Sequence, residues 1–203
     1  MFALRNGARR AVLCLFVAAT SLMGGCASVY VDGTTKEVRA AQFKKPASPV
    51  PVQLLFDFQT KGVANAQATA FLRERVVDQV KASGLFSEVG SNAVPSGALL
   101  TITLNNVPLT DNAFSKGFVT GLTFGLAGSQ VSDGYVCTAN YRAAGDSAAL
   151  TKQARHAIHT TLGAAATPGN ATKMDSAKDA VYLMTQQIVS NVLNDLSQDA
   201  NFK

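Results

Sequence analysis

The chain has 203 residues, of which 47% are hydrophobic and 15% charged, enough for one domain with a sizeable core. Its net charge is +5, but Arg5, Arg9 and Arg10 supply three of these charges, and the rest of the chain carries only +2. Because nucleic-acid binding needs a strong positive field, this balance argues against a nucleic-acid-binding protein.

The first 26 residues have the organisation of an export signal. Three arginines precede an apolar run from Ala11 to Leu22, and the segment LMGGC ends at Cys26. This run of 12 residues is too short to span a membrane as a mature helix. The small residues before Cys26 are typical of a signal-peptidase site.

The segment LMGGC resembles the lipobox of bacterial lipoproteins. The resemblance implies that residues 1–25 are removed as a signal peptide and that Cys26 becomes a diacylglyceryl cysteine at the new N-terminus. The same resemblance implies that Ala27, rather than an aspartate, after the cysteine would favour the outer membrane of a Gram-negative cell, where acyl chains such as palmitate would hold the domain on the periplasmic side. The alternatives are an ordinary cleaved signal and an uncleaved apolar helix.

Residues 26–51 predict a flexible tether, because Gly33, Lys44, Lys45 and three prolines occur among few large apolar residues. Local order around residues 29–31 is the alternative. Residues 52–200 then form a single domain. Of the three cysteines, only Cys137 would keep a free thiol in the mature protein, so an intramolecular disulfide is excluded.

The domain begins with a strand and a helix. Residues 52–58 (VQLLFDF) predict a buried strand. Residues 66–83 predict a helix, because Asn65 can cap its first turn and Gly84 can close its last turn in a left-handed conformation. Residues 85–89 predict a short extended segment.

The second half of the domain predicts more strands and a final helix. The longer strands are expected at residues 98–107, 131–142 and 150–162, with a turn at Gly145 and Asp146 between the last two. An apolar stripe predicts a helix over residues 173–197, capped by Thr172 and Asp175. The order predicts an α+β fold, in which two main helices pack on one face of a mostly antiparallel sheet.

The same element order, with the sequence SGLFSEV at residues 83–89, is similar to the small domains of curli-secretion-type and TolB N-terminal-type envelope proteins. The resemblance implies an accessory or assembly role in the cell envelope, and it brings no catalytic residue.

The segment AFSKGFVTGLTFGLAGS contains a glycine series formed by Gly117, Gly121 and Gly125. On a helix these glycines would line one face and allow another backbone to approach closely. Read with a period of two, the stretch from Phe118 to Leu126 is an equally good strand, long enough to cross a membrane in an oligomeric barrel. The competing interpretation, a buried strand or tight loop of a soluble core, is the one that we favour on sequence alone.

Cys137 and His156 are the best candidates for chemistry. If Ala144 pairs with Ala149 in the predicted hairpin, Cys137 lies opposite His156, within reach of a thiol–imidazole contact that would favour a nucleophile. No orienting carboxylate can be assigned, so a buried thiol beside a histidine is the favoured interpretation. His156 and His159 form an HxxH pattern, but on a strand they face opposite sides, which argues against a metal site. The sequence predicts no cofactor.

Three functional classes remain. The first is a lipid-anchored, non-enzymatic envelope protein that binds or supports another envelope component. The second is a subunit of an oligomeric outer-membrane export or pore complex, in which the segment from Phe118 to Leu126 enters the membrane. The third is an enzyme that uses Cys137 and His156. A homo-oligomer is compatible with the first class and expected for the second.

Overall fold

The computed structural model describes residues 27–109, 130–146, 148–163 and 167–202. The described residues form an eight-stranded sheet and two long helices, α1 (Ala66–Ser83) and α2 (Ala177–Ser197). The strands are β1 (Ala27–Asp32), β2 (Val52–Thr60), β3 (Val63–Ala64), β4 (Val89–Gly90), β5 (Leu99–Pro108), β6 (Gln130–Arg142), β7 (Leu150–Leu162) and β8 (Ala171–Met174).

The sheet has the strand order β3-β2-β5-β6-β7-β1-β8, with β4 beside the first half of β2. β2 is parallel to β4 and β5, and the other neighbouring strands are antiparallel. Both helices pack against one face of the sheet and against each other. The predicted α+β class with a mostly antiparallel sheet is therefore confirmed.

Alternation along the strands builds the core between the sheet and the helices. In β2, every second residue from Val52 to Phe58 is buried, and these side chains face α1. In α1, the side chain of Asn65 accepts a hydrogen bond from the backbone N–H of Ala68 at 3.0 Å, and Gly84 adopts a φ of 66°. Both predicted caps of this helix are confirmed, because each meets a specific backbone need of a helix end.

Residues 27–51, which the sequence predicts as a flexible tether, pack against the domain instead. β1 lies inside the sheet between β7 and β8. Beyond β1, a short 3-10 helix (Ala40–Gln42) precedes the buried Phe43, and the backbone N–H of Val38 donates to Ser190 Oγ at 3.0 Å. The tether prediction is wrong here because the prolines and lysines outweigh a short apolar strand in the composition of this segment. The alternative of local order around residues 29–31 agrees with β1.

The final helix begins later than the sequence predicts. Residues 171–174 form β8, which pairs with β1. Helix α2 starts after Ser176, whose Oγ accepts a hydrogen bond from the backbone N–H of Asp179 at 3.1 Å. The predicted cap at Thr172 is wrong, because β1 offers these residues a strand partner that the predicted tether would not provide.

Four strand ends meet at one end of the sheet, which we call the Ala27 end. Ala27 pairs with Leu162, and Gln130 pairs with Thr161 on the same strand. Pro108, the last residue of β5, pairs with Asp133, three positions into β6. The predicted lipid-attachment cysteine therefore directly precedes a strand that starts at this end. None of the described helices is long and apolar enough to cross a membrane.

Candidate functional site

The structure separates the two residues of the predicted nucleophile pair by two positions of register. Cys137 lies opposite Ala154, whereas His156 lies opposite Tyr135. The turn that joins the strands is centred earlier than predicted. In this turn Gly145 adopts a φ of 76°, and Asp146 N–H donates to the carbonyl of Ala143 at 3.2 Å. The predicted pairing of Cys137 with His156 is therefore wrong.

The surroundings of the Cys137 thiol and the His156 imidazole do not favour nucleophilic chemistry. Burial raises the pKa of the Cys137 thiol to about 12, so the thiolate is strongly disfavoured at neutral pH. Burial also lowers the pKa of His156, which holds the imidazole neutral. His156 Nδ1 accepts a hydrogen bond from Ala157 N–H at 2.9 Å, and Nε2 lies 2.7 Å from Gln187 Oε1 in α2. The contact with Gln187 joins β7 to α2.

His159 lies on the opposite face of the sheet from His156, as the odd spacing predicts, and it joins a buried polar cluster. Its Nε2 lies 3.2 Å from Asp32 Oδ2 in β1, and its Nδ1 lies 2.8 Å from Ser132 Oγ in β6. Gln130 Nε2 donates to the same Nδ1 at 3.3 Å. We call Asp32, Ser132 and His159 the three-strand cluster.

The partners define the proton positions in the three-strand cluster. Because an amide N–H can only donate, His159 Nδ1 accepts, and its Nε2–H donates to Asp32. Burial raises the pKa of Asp32, but hydrogen bonds from His159 and Thr34 outweigh it and lower the pKa below its usual value. The carboxylate therefore stays charged and accepts from both residues.

The three-strand cluster contains the same group types as a serine-hydrolase triad, but its surroundings favour a structural role. The His159 imidazole has no exposed surface, and Asp32 is almost completely buried. A reacting substrate would need access to the serine hydroxyl and to the imidazole that activates it. The cluster instead links β1, β6 and β7 on the face away from the helices. Sequence patterns alone do not reveal Asp32 and Ser132 as partners of His159, because Asp32 requires β1 in the sheet and Ser132 requires the observed register of β6 and β7.

A groove with a volume of about 370 Å³ lies on the helix side of the domain. It lies between α1, α2 and residues 37–43. Its lining combines apolar and polar side chains and includes charged residues of both signs, among them Glu37, Arg75 and Asp78. We call it the helix groove. The sequence gives no signal for it, because it arises from the packing of three separate segments.

An aromatic and a cationic side chain meet at the helix groove. The Arg75 guanidinium lies 3.4 Å from the centre of the Tyr182 ring, and the Phe71 ring stacks on Tyr182 with centroids 5.1 Å apart. Deeper in the groove, Thr185 is buried, and its Oγ1 has no hydrogen-bond partner among the described residues. Such a hydroxyl can bind a water molecule or a polar group of a ligand.

The other predicted site residues lie outside the described part of the chain. Cys26, the predicted lipid-attachment site, directly precedes β1, and Gly117, Gly121 and Gly125 lie between Pro108 and Gln130. Their surroundings are therefore known only through the strand ends that flank them. Within the described ranges, no group of three or more histidine, cysteine, aspartate or glutamate side chains is arranged to hold a metal ion.

No protein-family model matches the sequence. No curated protein matches it. Among solved structures, the fold is similar to PelC dodecamers from Paraburkholderia phytofirmans in two crystal forms. A point variant of PelC has 12% sequence identity and a TM-score of 0.36, with 87% of this chain and 99% of that chain covered. PelC in the second form has 11% identity and a TM-score of 0.35, with 86% and 99% covered. At these values, the similarity assigns neither a family nor an activity to this chain.

Proposed function

We propose that the protein is a lipid-anchored component of the outer membrane of a Gram-negative cell, where its domain binds another envelope protein and catalyses no reaction. The observation that carries this proposal is the position of β1. Ala27 already pairs with Leu162, so the sheet begins one residue after the predicted acylated cysteine. A domain joined this closely to its lipid stays at the membrane surface, where its partners must also be.

The state of the candidate nucleophile supports a non-enzymatic role. Cys137 is buried, its pKa is raised, and the register places Ala154 rather than a histidine opposite it. The three-strand cluster is also buried, and its hydrogen bonds connect three strands. Both sets of residues contribute to the packing of the domain instead of facing a substrate.

The helix groove is the surface that we assign to the partner. Arginine and tyrosine are enriched at protein interfaces, and here Arg75 and Tyr182 line a concave site. Beside them, Phe71 is 46% exposed although it is a large aromatic residue. Burial of this ring by a partner would remove apolar surface from water.

A photo-crosslinking amino acid at residue 71 tests the partner assignment in cells that make the full protein. The matched control places the same amino acid at Leu55, which is 42% exposed on β2 and faces away from the helices. We expect a defined crosslinked envelope protein from residue 71 and none from residue 55. Equal crosslinking from both positions, or none from either, would contradict a partner at the helix groove.

A second function is favoured by one observation of the topology. Both described strand ends that flank the glycine series, at Pro108 and Gln130, lie at the Ala27 end, as does the residue after Cys26. The strands β1, β7, β6 and β5 are adjacent, so these ends lie within about 15 Å of one another across the sheet. The protein would then be a subunit of an oligomeric export or pore complex whose segment from Phe118 to Leu126 enters the membrane.

Carbonate extraction separates the two functions. The variant Cys26→Ala, exported with an ordinary cleavable signal, has no lipid to hold it. Its release from the membranes supports the first function. Its retention, in a form that detergent dissolves and that assembles into rings, supports the second function.

A further inference from the structure

Two large apolar side chains are exposed on the helix-facing side of the sheet, at the Ala27 end. Val131 in β6 is 57% exposed, and Leu162 in β7 is 50% exposed. Four residues further along each strand and on the same side, Tyr135 and Ile158 are only 7% and 5% exposed. The helices therefore cover the middle of both strands on this side of the sheet. They leave the strand ends at Val131 and Leu162 exposed.

These side chains form one surface with the first residue of β1. Ala27 pairs directly with Leu162, and Val131 pairs with Thr160, which places it diagonally across from Leu162. Neighbouring strands lie about 4.8 Å apart, so all three residues fall within about 10 Å across the sheet. We call Ala27, Val131 and Leu162 the strand-end patch.

We propose that the strand-end patch contacts the lipid bilayer and fixes the orientation of the domain on the membrane. This inference rests on the proposed lipid attachment at Cys26. Acyl chains on Cys26 enter the bilayer one residue from Ala27, so Ala27 lies at the lipid surface and the rest of the patch lies within about 10 Å of it across the sheet. Apolar side chains at that depth leave water for the boundary between headgroups and acyl chains.

The bilayer is a better occupant of the strand-end patch than a second copy of the chain. A stable protein interface buries about 800 Å² on each partner, far more than two half-exposed aliphatic side chains provide. A lipid surface requires no matching shape, and the attachment point supplies the proximity. The partners at the helix groove would then bind at a fixed height above the membrane.

Tryptophan fluorescence tests the proposal directly, because the chain contains no tryptophan. Val131→Trp and Leu162→Trp each place a single fluorophore in the patch, and Leu55→Trp is the matched control on an exposed residue away from it. The acylated proteins are reconstituted in vesicles of phosphatidylethanolamine and phosphatidylglycerol, with or without bromine on the acyl chains.

We expect brominated lipid to reduce the fluorescence of the two patch variants about twofold and to leave the residue 55 variant unchanged, since only side chains within the interface approach the bromines. Equal quenching at all three positions, or none at the patch, would overturn the proposal. A patch tryptophan that neither brominated lipid nor aqueous iodide quenches would show that the chain itself or a second copy covers the patch, which also overturns it.

The mass of the N-terminal peptide, measured on the same samples, tests the lipid attachment separately. If Cys26 carries no acyl group, the proposed anchoring fails, and the patch is tested on protein coupled through Cys26 to a maleimide lipid. Coupling is selective because the other mature thiol, Cys137, is buried. Selective quenching in that form supports the patch even when the native anchoring is wrong, and uniform quenching overturns the patch alone.

Discussion

Replacement of Asp32 by alanine should destabilise the domain, because it removes the acceptor that holds β1 to β7. In the native protein the Asp32 carboxylate accepts from His159 Nε2 at 3.2 Å and from the Thr34 backbone N–H at 2.8 Å. The His159 donor is completely buried, so water cannot replace the lost acceptor. The Thr34 donor is near the surface and loses less.

The magnitude follows from the number of donors left without a partner. A buried unsatisfied donor costs about 1–3 kcal/mol, and a hydrogen bond to a charged group contributes about 1.5–3 kcal/mol. Relief from burying the carboxylate offsets part of this loss. We expect a loss of about 2–4 kcal/mol in the free energy of unfolding, equivalent to a fall in Tm of roughly 10 °C for a domain of this size.

Thermal unfolding, followed by circular dichroism on the unacylated mature chain, measures the effect. Asp57→Ala is the matched control, because Asp57 is a half-buried strand carboxylate that accepts from Gln59 Nε2 at 2.9 Å. We expect the control to lose less than about 1 kcal/mol. A fall in Tm for Asp32→Ala no larger than that of the control would refute the role assigned to the three-strand cluster.

The pH dependence supplies a second arm of the same experiment. The pKa of Asp32 is lowered from 3.8 in the folded protein. Its contribution to stability is therefore complete above pH 3.8 and is lost as the pH falls through the folded value. The difference in Tm between the native protein and Asp32→Ala should shrink below that pH, and a difference that stays constant would contradict a charged Asp32.

Three further predictions concern other buried groups. Because the pKa of His156 is lowered from 6.5, the native protein should lose stability as the pH falls below 6.5. Urea titrations at several pH values should show a smaller loss for His156→Gln. An equal dependence of the free energy of unfolding on pH in both proteins would be inconsistent with a neutral His156. Iodoacetamide should alkylate the Cys137 thiol, whose pKa is raised to about 12, only after urea unfolding, as peptide masses would show; rapid alkylation of the folded protein would restore the nucleophile hypothesis. Thr185→Val should raise the free energy of unfolding by about 1 kcal/mol, since the buried hydroxyl has no partner among the described residues. Thr69→Val should lower the free energy of unfolding, because Thr69 Oγ1 accepts from Phe58 N–H at 2.8 Å. Destabilisation by both substitutions would show that Thr185 is hydrogen-bonded.

The parts of the fold that local chemistry determines could be predicted from the sequence. Helix α1 depends on Asn65 and Gly84, which act on backbone groups within a few residues, and the predicted range 66–83 agrees with the structure. Alternation likewise placed β6 and β7 close to their observed ranges. The α+β class follows from these elements because each has one apolar face to bury.

The parts that depend on pairing between distant segments could not be predicted. β1 is a short strand in a proline-rich and lysine-rich stretch, and segments distant in sequence stabilise it, among them its neighbours β7 and β8. Once β1 is taken as a tether, neither β8 nor the partner of His159 can be found. The observed register of β6 and β7 differs by two positions from the predicted one. The backbone of the turn sets this register, and a side-chain pattern that repeats every two residues does not distinguish the two alternatives.

The mass of the mature N-terminal peptide, isolated from outer-membrane fractions of cells that make the full chain, tests the central claim most directly. We expect a peptide that starts at Cys26 and carries a diacylglyceryl group. The variant Cys26→Ala serves as the control and should carry none. A mature chain that starts elsewhere, or an unmodified Cys26 in the membrane fraction, would contradict the lipid anchor and the proposals that rest on it.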